Sequence, residues 1–455
     1  MVKYQKYKEI NLPWLKIIPA NWDIKRNKQF LHERKKIVGN KSSEYTLLSL
    51  TLRGIVVRDL SENKGKIPAS FDNYKIVEPG DIAFCLFDID ETPRTVGLSK
   101  YKGMLTGAYN IFHIEGINAR YLYYYYLALD NIKGLRPLYT GLRKTINVNT
   151  FLSQQMPVPP RSEQDQIVRF LDWKVSEINK LIGIRRKEIQ ELEELRRNVI
   201  KTTVTSGLDS VASRKYSGES WIGEIPEKWQ TLPIKRLFKI YSGATPKSGV
   251  RRYWYGNVIW ITPADFKTKD KYVSKGAKTL TDEGLTSCSA SIVPAGSIIF
   301  SKRAPVGSVV INSNPLCTNQ GCLSCVPYSN ASAEFFYYVM SICTDEFERR
   351  ASGTTFKEIS LTEFGKFQMP VPSVDEQKTI ASFLDDECSR IDKVISIDEE
   401  KIAGLKELKN TIVSDVVTGK IDVRNITVPE YEHVDDIVDD NSENNEETET
   451  DGEEA

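Results

Sequence analysis

Histidine is almost missing from this chain of 455 residues: His32, His113 and His433 are the only three. No two of them have the spacing of a metal-binding helix or turn. Phosphate-cradling loops are missing as well, with neither a Gly-x-x-x-x-Gly-Lys-Ser/Thr nor a Gly-x-Gly-x-x-Gly stretch. The Asn/Asp-Pro-Pro-aromatic motif of an amino-methyltransferase is not found either. No run of about 18 apolar residues occurs, so no membrane span is expected. The polar opening stretch Met1–Glu9 predicts no secretory leader. Cysteine is sparse, with seven scattered residues, which fits free thiols in a reducing cytoplasm. Cys317, Cys322 and Cys325 do have the Cys-x4-Cys-x2-Cys spacing of plant-type iron–sulfur ligands, with Cys343 as a fourth candidate. Yet Cys322–Val326 reads as a strand of small buried hydrophobes, and the matching stretch Tyr109–Ile114 carries no cysteine. Metal and cofactor chemistry are therefore not expected in this chain.

What the chain does have is segregated charge. The formal net charge is +1, but residues 430–455 hold 13 acids and no Lys or Arg. The remainder carries 62 basic against 48 acidic residues. A basic body with an acidic, aromatic-poor tail suggests a nucleic-acid partner and a disordered C-terminus from about Val428.

The chain also repeats itself. Residues 155–172 and 368–385, offset by 213, are identical at 11 of 18 positions, around a shared Gln-Met-Pro-Val-Pro…Glu-Gln…Ile…Phe-Leu-Asp. Upstream, Trp14, Pro19 and Trp22 match Trp221, Pro226 and Trp229 at offset 207, and Tyr123–Tyr125 falls on Phe336–Tyr338. Past Pro159 and Pro372 each copy shows apolar residues in 4,3 spacing. The first seam runs Leu171, Val175, Ile178, Ile182, Arg185, Ile189, Leu192, Arg196, Val199. The second runs Leu384, Cys388, Ile391, Ile395, Asp398, Ile402, Leu405, Lys409, Ile412. That spacing predicts two helices of about 40 residues that satisfy each other as a coiled coil. Charges interrupt both seams at equivalent places. In an antiparallel pair with approximate twofold symmetry, Arg185 and Asp398 meet at the midpoint and set the register.

The remaining segments read as two β-rich lobes, with short alternating strands at Tyr45–Leu50, Ile82–Phe87, Val258–Thr262, Ser297–Ser301 and Val306–Ile311. Tyr121–Leu129 and Glu334–Ile342 read as short buried helices. The fold class is thus α+β: two β-rich lobes joined by two long antiparallel helices. The divisions fall at 1–155 (first lobe), 156–206 (first long-helix segment), 207–368 (second lobe), 369–425 (second long-helix segment) and 426–455 (acidic disordered tail). The lobes carry net charges of +10 and +6. Cations on turns are the candidate DNA contacts, because Arg and Lys on rigid loops reach phosphates and Arg forks onto guanine. They are Arg53, Arg58, Arg94, Arg143 and Lys144 in the first lobe. In the second they are Lys247, Arg251, Arg252, Lys302, Arg303 and Lys357, with Thr355 beside them. Lys64 and Lys66 add to the first lobe's basic character. Trp14, Trp22, Trp221 and Trp229 are expected as core anchors where each lobe begins.

These motifs resemble the specificity subunit of type I restriction–modification systems. The doubled block at 156–172 and 369–385 carries the resemblance, together with Trp221-Ile-Gly-Glu-Ile-Pro-x-x-Trp229. Further points of similarity are Gly243-x-Thr245-Pro246, Trp260-Ile261-Thr262, Arg303-Ala304-Pro305-x-Gly307, Thr318-Asn319-Gln320-Gly321 and Ser352-Gly353-Thr354-Thr355-Phe356. It covers roughly residues 5–425. The first lobe departs from it, lacking the Gly-x-Thr-Pro loop and having Ala108-Tyr109-Asn110 in place of Asn-Gln-Gly. The resemblance implies a non-catalytic, cytoplasmic host-defence subunit whose two target recognition domains each read half of a split site on double-stranded DNA. It also implies that the helices set the gap and that two methyltransferase subunits, and through them restriction subunits, assemble on the chain. S-adenosylmethionine, ATP and magnesium would belong to those partners. Phe170, Leu171, Phe383 and Leu384 are the expected partner-docking residues. The competing readings are a self-contained DNA methyltransferase or nuclease, which would need a cofactor motif, and a purely structural coiled coil, which would not need two basic lobes.

Overall fold

Each Pro-Val-Pro block closes a strand and hands over to a helix, since proline fits at the end of an extended run but not inside a helix. The computed structural model describes residues 2–58, 70–139, 144–266, 270–303, 305–353 and 357–436. In it Gln155–Val158 leads into the helix Arg161–Ser206, and Gln368–Val371 leads into the helix Val374–Val417. The helices have 46 and 44 residues, so each is roughly 65–70 Å long at 1.5 Å per residue.

The chain divides into two units, residues 1–187 with 398–455, and residues 188–397. Each unit holds one lobe and half of each long helix. In the first unit the helix halves run antiparallel: Lys409 reaches Asn179 at 3.3 Å, and Arg185 Nη1 lies 3.7 Å from Asp398 Oδ1. In the second, Arg196 lies 3.1 Å from Asp392, and Ile200 and Val204 pack in one core with Ile380, Leu384 and Cys388. The 4,3 spacing describes the seam, with Leu171, Ile178, Ile182, Leu384, Cys388, Ile391, Ile395, Ile402 and Ile412 all buried. Buried Asp398 also takes Lys401 at 3.0 Å, so its charge has two cations beside it.

The lobes repeat one another strand by strand. In the first, four antiparallel strands lie in the order Leu31–Arg34, Asn110–Ile114, Ile82–Phe84, Val96–Leu98. In the second the order is Phe238–Ser242, Cys322–Pro327, Ile298–Ser301, Val309–Asn312, with Tyr272–Val273 added in parallel at the edge. One helix covers each sheet, Ala119–Asn131 and Ala333–Ser341, both capped by a side chain, Asn118 and Ser332, that accepts from the first-turn amides. These caps stand 214 residues apart, so Tyr123-Tyr124 aligns with Tyr337-Tyr338. The structural match is one residue off the offset of 213 that the flanking blocks suggested.

The shared Glu-Gln pair explains why the repeated block keeps its sequence. Trp22 Nε1 donates to Glu163 at 2.8 Å, and Trp229 Nε1 donates to Glu376 at 3.1 Å. Tyr4 and Asn21 also donate to Glu163, which offsets the cost of burying that carboxylate. Gln164 Nε2 donates to the Pro159 carbonyl while its oxygen accepts from Asn118 N. Gln377 does the same with Pro372 and Ser332. Each long helix is thus fastened at its start to the lobe that precedes it. Trp22 and Trp229 are buried, whereas Trp14 and Trp221 are half-buried, Trp14 donating to Tyr125 and Trp221 stacking on Phe367.

The tail differs from its expectation. Composition placed everything from residue 426 onward in a disordered segment. Residues 426–436 instead lie against the first unit, with Gln166 donating to the carbonyls of Val423 and Ile426 and Lys409 to Asp436. The tail's acids find cations on the helices, which a reading of local composition does not see. Residues 437–455 lie outside the described residues.

Candidate nucleic-acid interface

The second lobe gathers four separate sequence motifs at one corner. The loop after strand Phe238–Ser242 passes so close to Thr318-Asn319 that a Cβ on Gly243 would lie 2.0 Å from the Asn319 carbonyl. Only glycine permits that approach. Ala244 N then donates to the Thr318 carbonyl at 2.9 Å, Thr245 Oγ1 bonds the Gln320 amide oxygen, and Trp260 Nε1 donates to the Ala244 carbonyl at 3.0 Å. Lys302 N donates to the Gly321 carbonyl, and Ile359 N to the Lys302 carbonyl. Ser301 Oγ holds the turn that follows, within 2.9 Å of the Arg303 carbonyl and 2.7 Å of the Pro305 carbonyl. The exposed products of this arrangement are Thr245, Lys247, Gln320 and Lys357, with half-exposed Arg303. Amide, hydroxyl and guanidinium groups on a rigid base are what base edges require, and lysines beside them suit phosphates.

Not every cation expected at this corner is available. The Lys302 side chain is only 16% exposed and pairs with Glu358 at 2.8 Å. Glu358, which sequence reasoning passed over, also lies 3.9 Å from Arg303 through the bridge that joins these two residues. Arg251 is exposed, and Arg252 pairs with Glu283 at 3.0 Å. Thr355 lies outside the described residues. Tyr255 was also missed. It stands in the left-handed region with φ 67°, at a bulge in the strand Trp254–Ile261, and is 74% exposed. A tyrosine held there against its backbone preference is an aromatic presented outward. The only sequence signal for it is the Gly256 that follows.

The first lobe has the same frame and different groups. The bridge Phe87–Thr145 corresponds to Arg303–Glu358, so Phe87 stands where the second lobe has Arg303, and Lys144 where it has Lys357. Lys144 is exposed and pairs with Glu91 at 2.6 Å. Arg53 sits exposed at the turn of the hairpin Leu48–Thr51/Gly54–Val57, and Arg58 follows it half-buried. Arg94 is displaced from the expected interface. Its side chain is 13% exposed and lies 3.1 Å from buried Asp130, which also accepts from Thr95, so it serves the lobe interior. Arg143, with Lys64 and Lys66, lies outside the described residues.

The remaining candidates divide clearly. Phe170, Leu171 and Leu384 are buried within their own cores, whereas Phe383 is 38% exposed. The cysteines of the iron–sulfur spacing are strand and core residues. Cys317, Cys322, Cys325 and Cys343 are all buried, and burial pushes the Cys317 thiol up to about 12. Among the described residues no group of His, Cys, Asp and Glu could hold a metal ion, and no helix is long and apolar enough to cross a membrane.

Two lobes on one frame, carrying different polar groups at the same corner, define a duplicated recognition subunit. The family described as the type I restriction modification DNA specificity domain matches residues 61–194 and 226–407, one stretch in each half. The chain belongs to that family, whose description is that of a DNA-specificity component. Among relatives, the type I restriction enzyme MjaIX specificity subunit of Methanocaldococcus jannaschii is 36% identical over 169 residues, which are 36% of this chain and 39% of the relative. The provisionally named MjaX specificity subunit of the same organism is 26% identical over 455 residues, covering 93% of this chain and all of the relative. A chain from a solved structure, described as the structural basis of complex assembly and conformational transition of the type I R-M system, superposes with a TM-score of 0.63. It is 16% identical and covers 89% of this chain and 99% of that one.

Proposed function

We propose that each lobe reads one half of a split site on duplex DNA, and that the paired helices set the unread gap between the halves. The observation that carries this reading is the convergence of the Gly243–Pro246, Thr318–Gly321, Lys302-Arg303 and Lys357-Glu358 segments on one corner, where Thr245, Gln320 and Arg303 are presented together. The equivalent corner of the first lobe has Phe87 in place of Arg303, as two readers of different half-sites require. Methyltransferase subunits, two per chain, dock on the helix segments, and restriction subunits join through them. S-adenosylmethionine, ATP and magnesium serve those partners, and the assembly works in the cytoplasm where its DNA lies. Exposed Phe383 marks the docking face on the second helix.

Genome-wide mapping of modified bases, in cells with and without this chain, tests the reading. A single two-part motif should lose its methylation when the chain is removed. A motif that stays modified, or one without an unread gap, would reject it. Phe383→Ala should reduce copurification of one methyltransferase subunit while circular dichroism stays unchanged. Unaltered stoichiometry would remove Phe383 from the docking face.

A further inference from the structure

One face of the first unit is already covered. Residues 431–436 cross the opening half of the first long helix. Lys180 lies 3.7 Å from Glu432, and Ser176 Oγ lies 3.4 Å from His433 Nδ1. Asn179 Nδ2 donates to the Val434 carbonyl at 3.0 Å and to Asp436 at 2.9 Å, and Lys409 donates to the same Asp436 at 2.8 Å. Beside this contact Tyr124 donates to Asp172 at 2.7 Å, and Arg120 pairs with that carboxylate at 2.7 Å.

The repeat builds the same parts into the second unit. Ser389, Asp392 and Lys393 stand 213 residues after Ser176, Asn179 and Lys180, and Arg196 stands 213 residues before Lys409. Tyr338 donates to Asp385 at 2.6 Å, and Lys271 pairs with that carboxylate at 2.5 Å, as Tyr124 and Arg120 do with Asp172. Here the parts line an open cavity of about 400 Å³. Among the described residues no segment crosses it.

We propose that this cavity is a docking groove for an extended acidic segment of a partner chain, the counterpart of the stretch that the tail supplies to the first unit. The cations Arg196, Lys271 and Lys393 line it, and its position relative to the helices is that of a groove in which such a segment is seen bound. One substitution sets what it accepts. Where the first unit has neutral Asn179 opposite Lys409, the second has Asp392, 3.1 Å from Arg196. The helix itself thus provides the carboxylate that Asp436 provides in the first unit. A segment carrying an acid at that place meets Asp392 and is repelled, whereas one carrying an amide there can donate to it. The groove therefore selects an acidic segment that ends in a neutral hydrogen-bonding residue, and it disfavours the tail of a second copy.

Two synthetic peptides test this, residues 427–440 of this chain and the same peptide with Asp436→Asn, titrated by calorimetry into the full chain and into a chain ending at Ile426. The full chain should take up one equivalent of the Asp436→Asn peptide and bind it several-fold tighter than the native peptide. The shortened chain should bind a second equivalent, with the native peptide preferred at that added site. Lys393→Glu in the full chain should weaken uptake by about tenfold, since it reverses an exposed anchor charge. Asp392→Asn should shift the full chain's preference to the native peptide. No saturable binding to the full chain, or binding indifferent to Lys393→Glu, overturns the groove. A preference of the intact chain for the native peptide would hand the site to a second copy's tail and overturn the partner assignment. Failure of the shortened chain to bind either peptide would overturn the tail contact on which the inference is built.

Discussion

Arg94 and Arg303 look alike in the sequence, each a lone arginine near a proline between strand-like runs, and the structure gives them opposite work. Arg94 is enclosed against Asp130, a carboxylate that comes from a helix 36 residues further on. Removing one partner of a buried ion pair typically costs about 3–5 kcal/mol when the other charge is left unpaired; here Lys133 stays 2.9 Å from Asp130, which places the loss toward the lower end of that range. Arg94→Ala should therefore lower the denaturation midpoint markedly, while the fraction that stays folded binds DNA as before. A drop in affinity without a drop in stability would return Arg94 to the interface. Arg303 stands on a turn held by Ser301 and is half-exposed. If its guanidinium forks onto a base, Arg303→Ala should cost about 1–3 kcal/mol and relax specificity at one position. If it grips a phosphate, all sites should weaken alike and the salt slope should fall by about one. Titrations at several salt concentrations separate these outcomes, and no change in affinity, specificity or slope would exclude Arg303 from the contact. The motif that carries Arg303 was readable because Pro and Gly punctuate it. The ion pair of Arg94 was not, since nothing local announces a partner from another element. Tyr255 escaped for a similar reason, because its left-handed backbone is set by a bulge against a strand more than twenty residues away.

At the scale of elements, the two long helices were legible to within a few residues, because a 4,3 spacing sustained over several heptads has few other solutions. Their pairing could also be anticipated, since charged interruptions at equivalent places imply a facing partner. Arg185 lies 3.7 Å from Asp398 in the seam. A double-mutant cycle measures whether that contact sets the register. Arg185→Leu and Asp398→Leu should each destabilise, and the double variant should recover part of the loss, with a coupling of about 1 kcal/mol. Lys401, which also binds Asp398, limits the recovery. Strictly additive losses would mean that both side chains are held independently. The contact made by residues 431–436 was illegible by contrast. Its acids read as solvated because the groups that hold them, Asn179, Lys180 and Lys409, belong to helix faces whose polar positions looked like ordinary surface.

Across the whole molecule the duplication governs what can be exchanged. The sockets around Glu163-Gln164 and Glu376-Gln377 use the same tryptophan and the same backbone acceptors, so a lobe that brings its own tryptophan and helix cap should fit either place. Replacing residues 207–367 by the equivalent lobe of a relative should change one half of the recognised motif and leave the other intact. Modified-base sequencing of the hybrid reads this directly, and a change in both halves would mean that the lobes do not act separately. The first unit holds one further feature of the same kind. Asp422 N donates to the Val2 carbonyl, and the Arg424 guanidinium lies 4.8 Å from the ring of Tyr4. Residues 422–424 are thus held beside residues 2–4. Where two such points of one backbone touch, the place at which it is opened can be moved: a short linker from Ile426 to Val2, with new ends opened between Gly207 and Ser213, would keep every described strand pairing of both lobes while reversing the order in which they leave the ribosome.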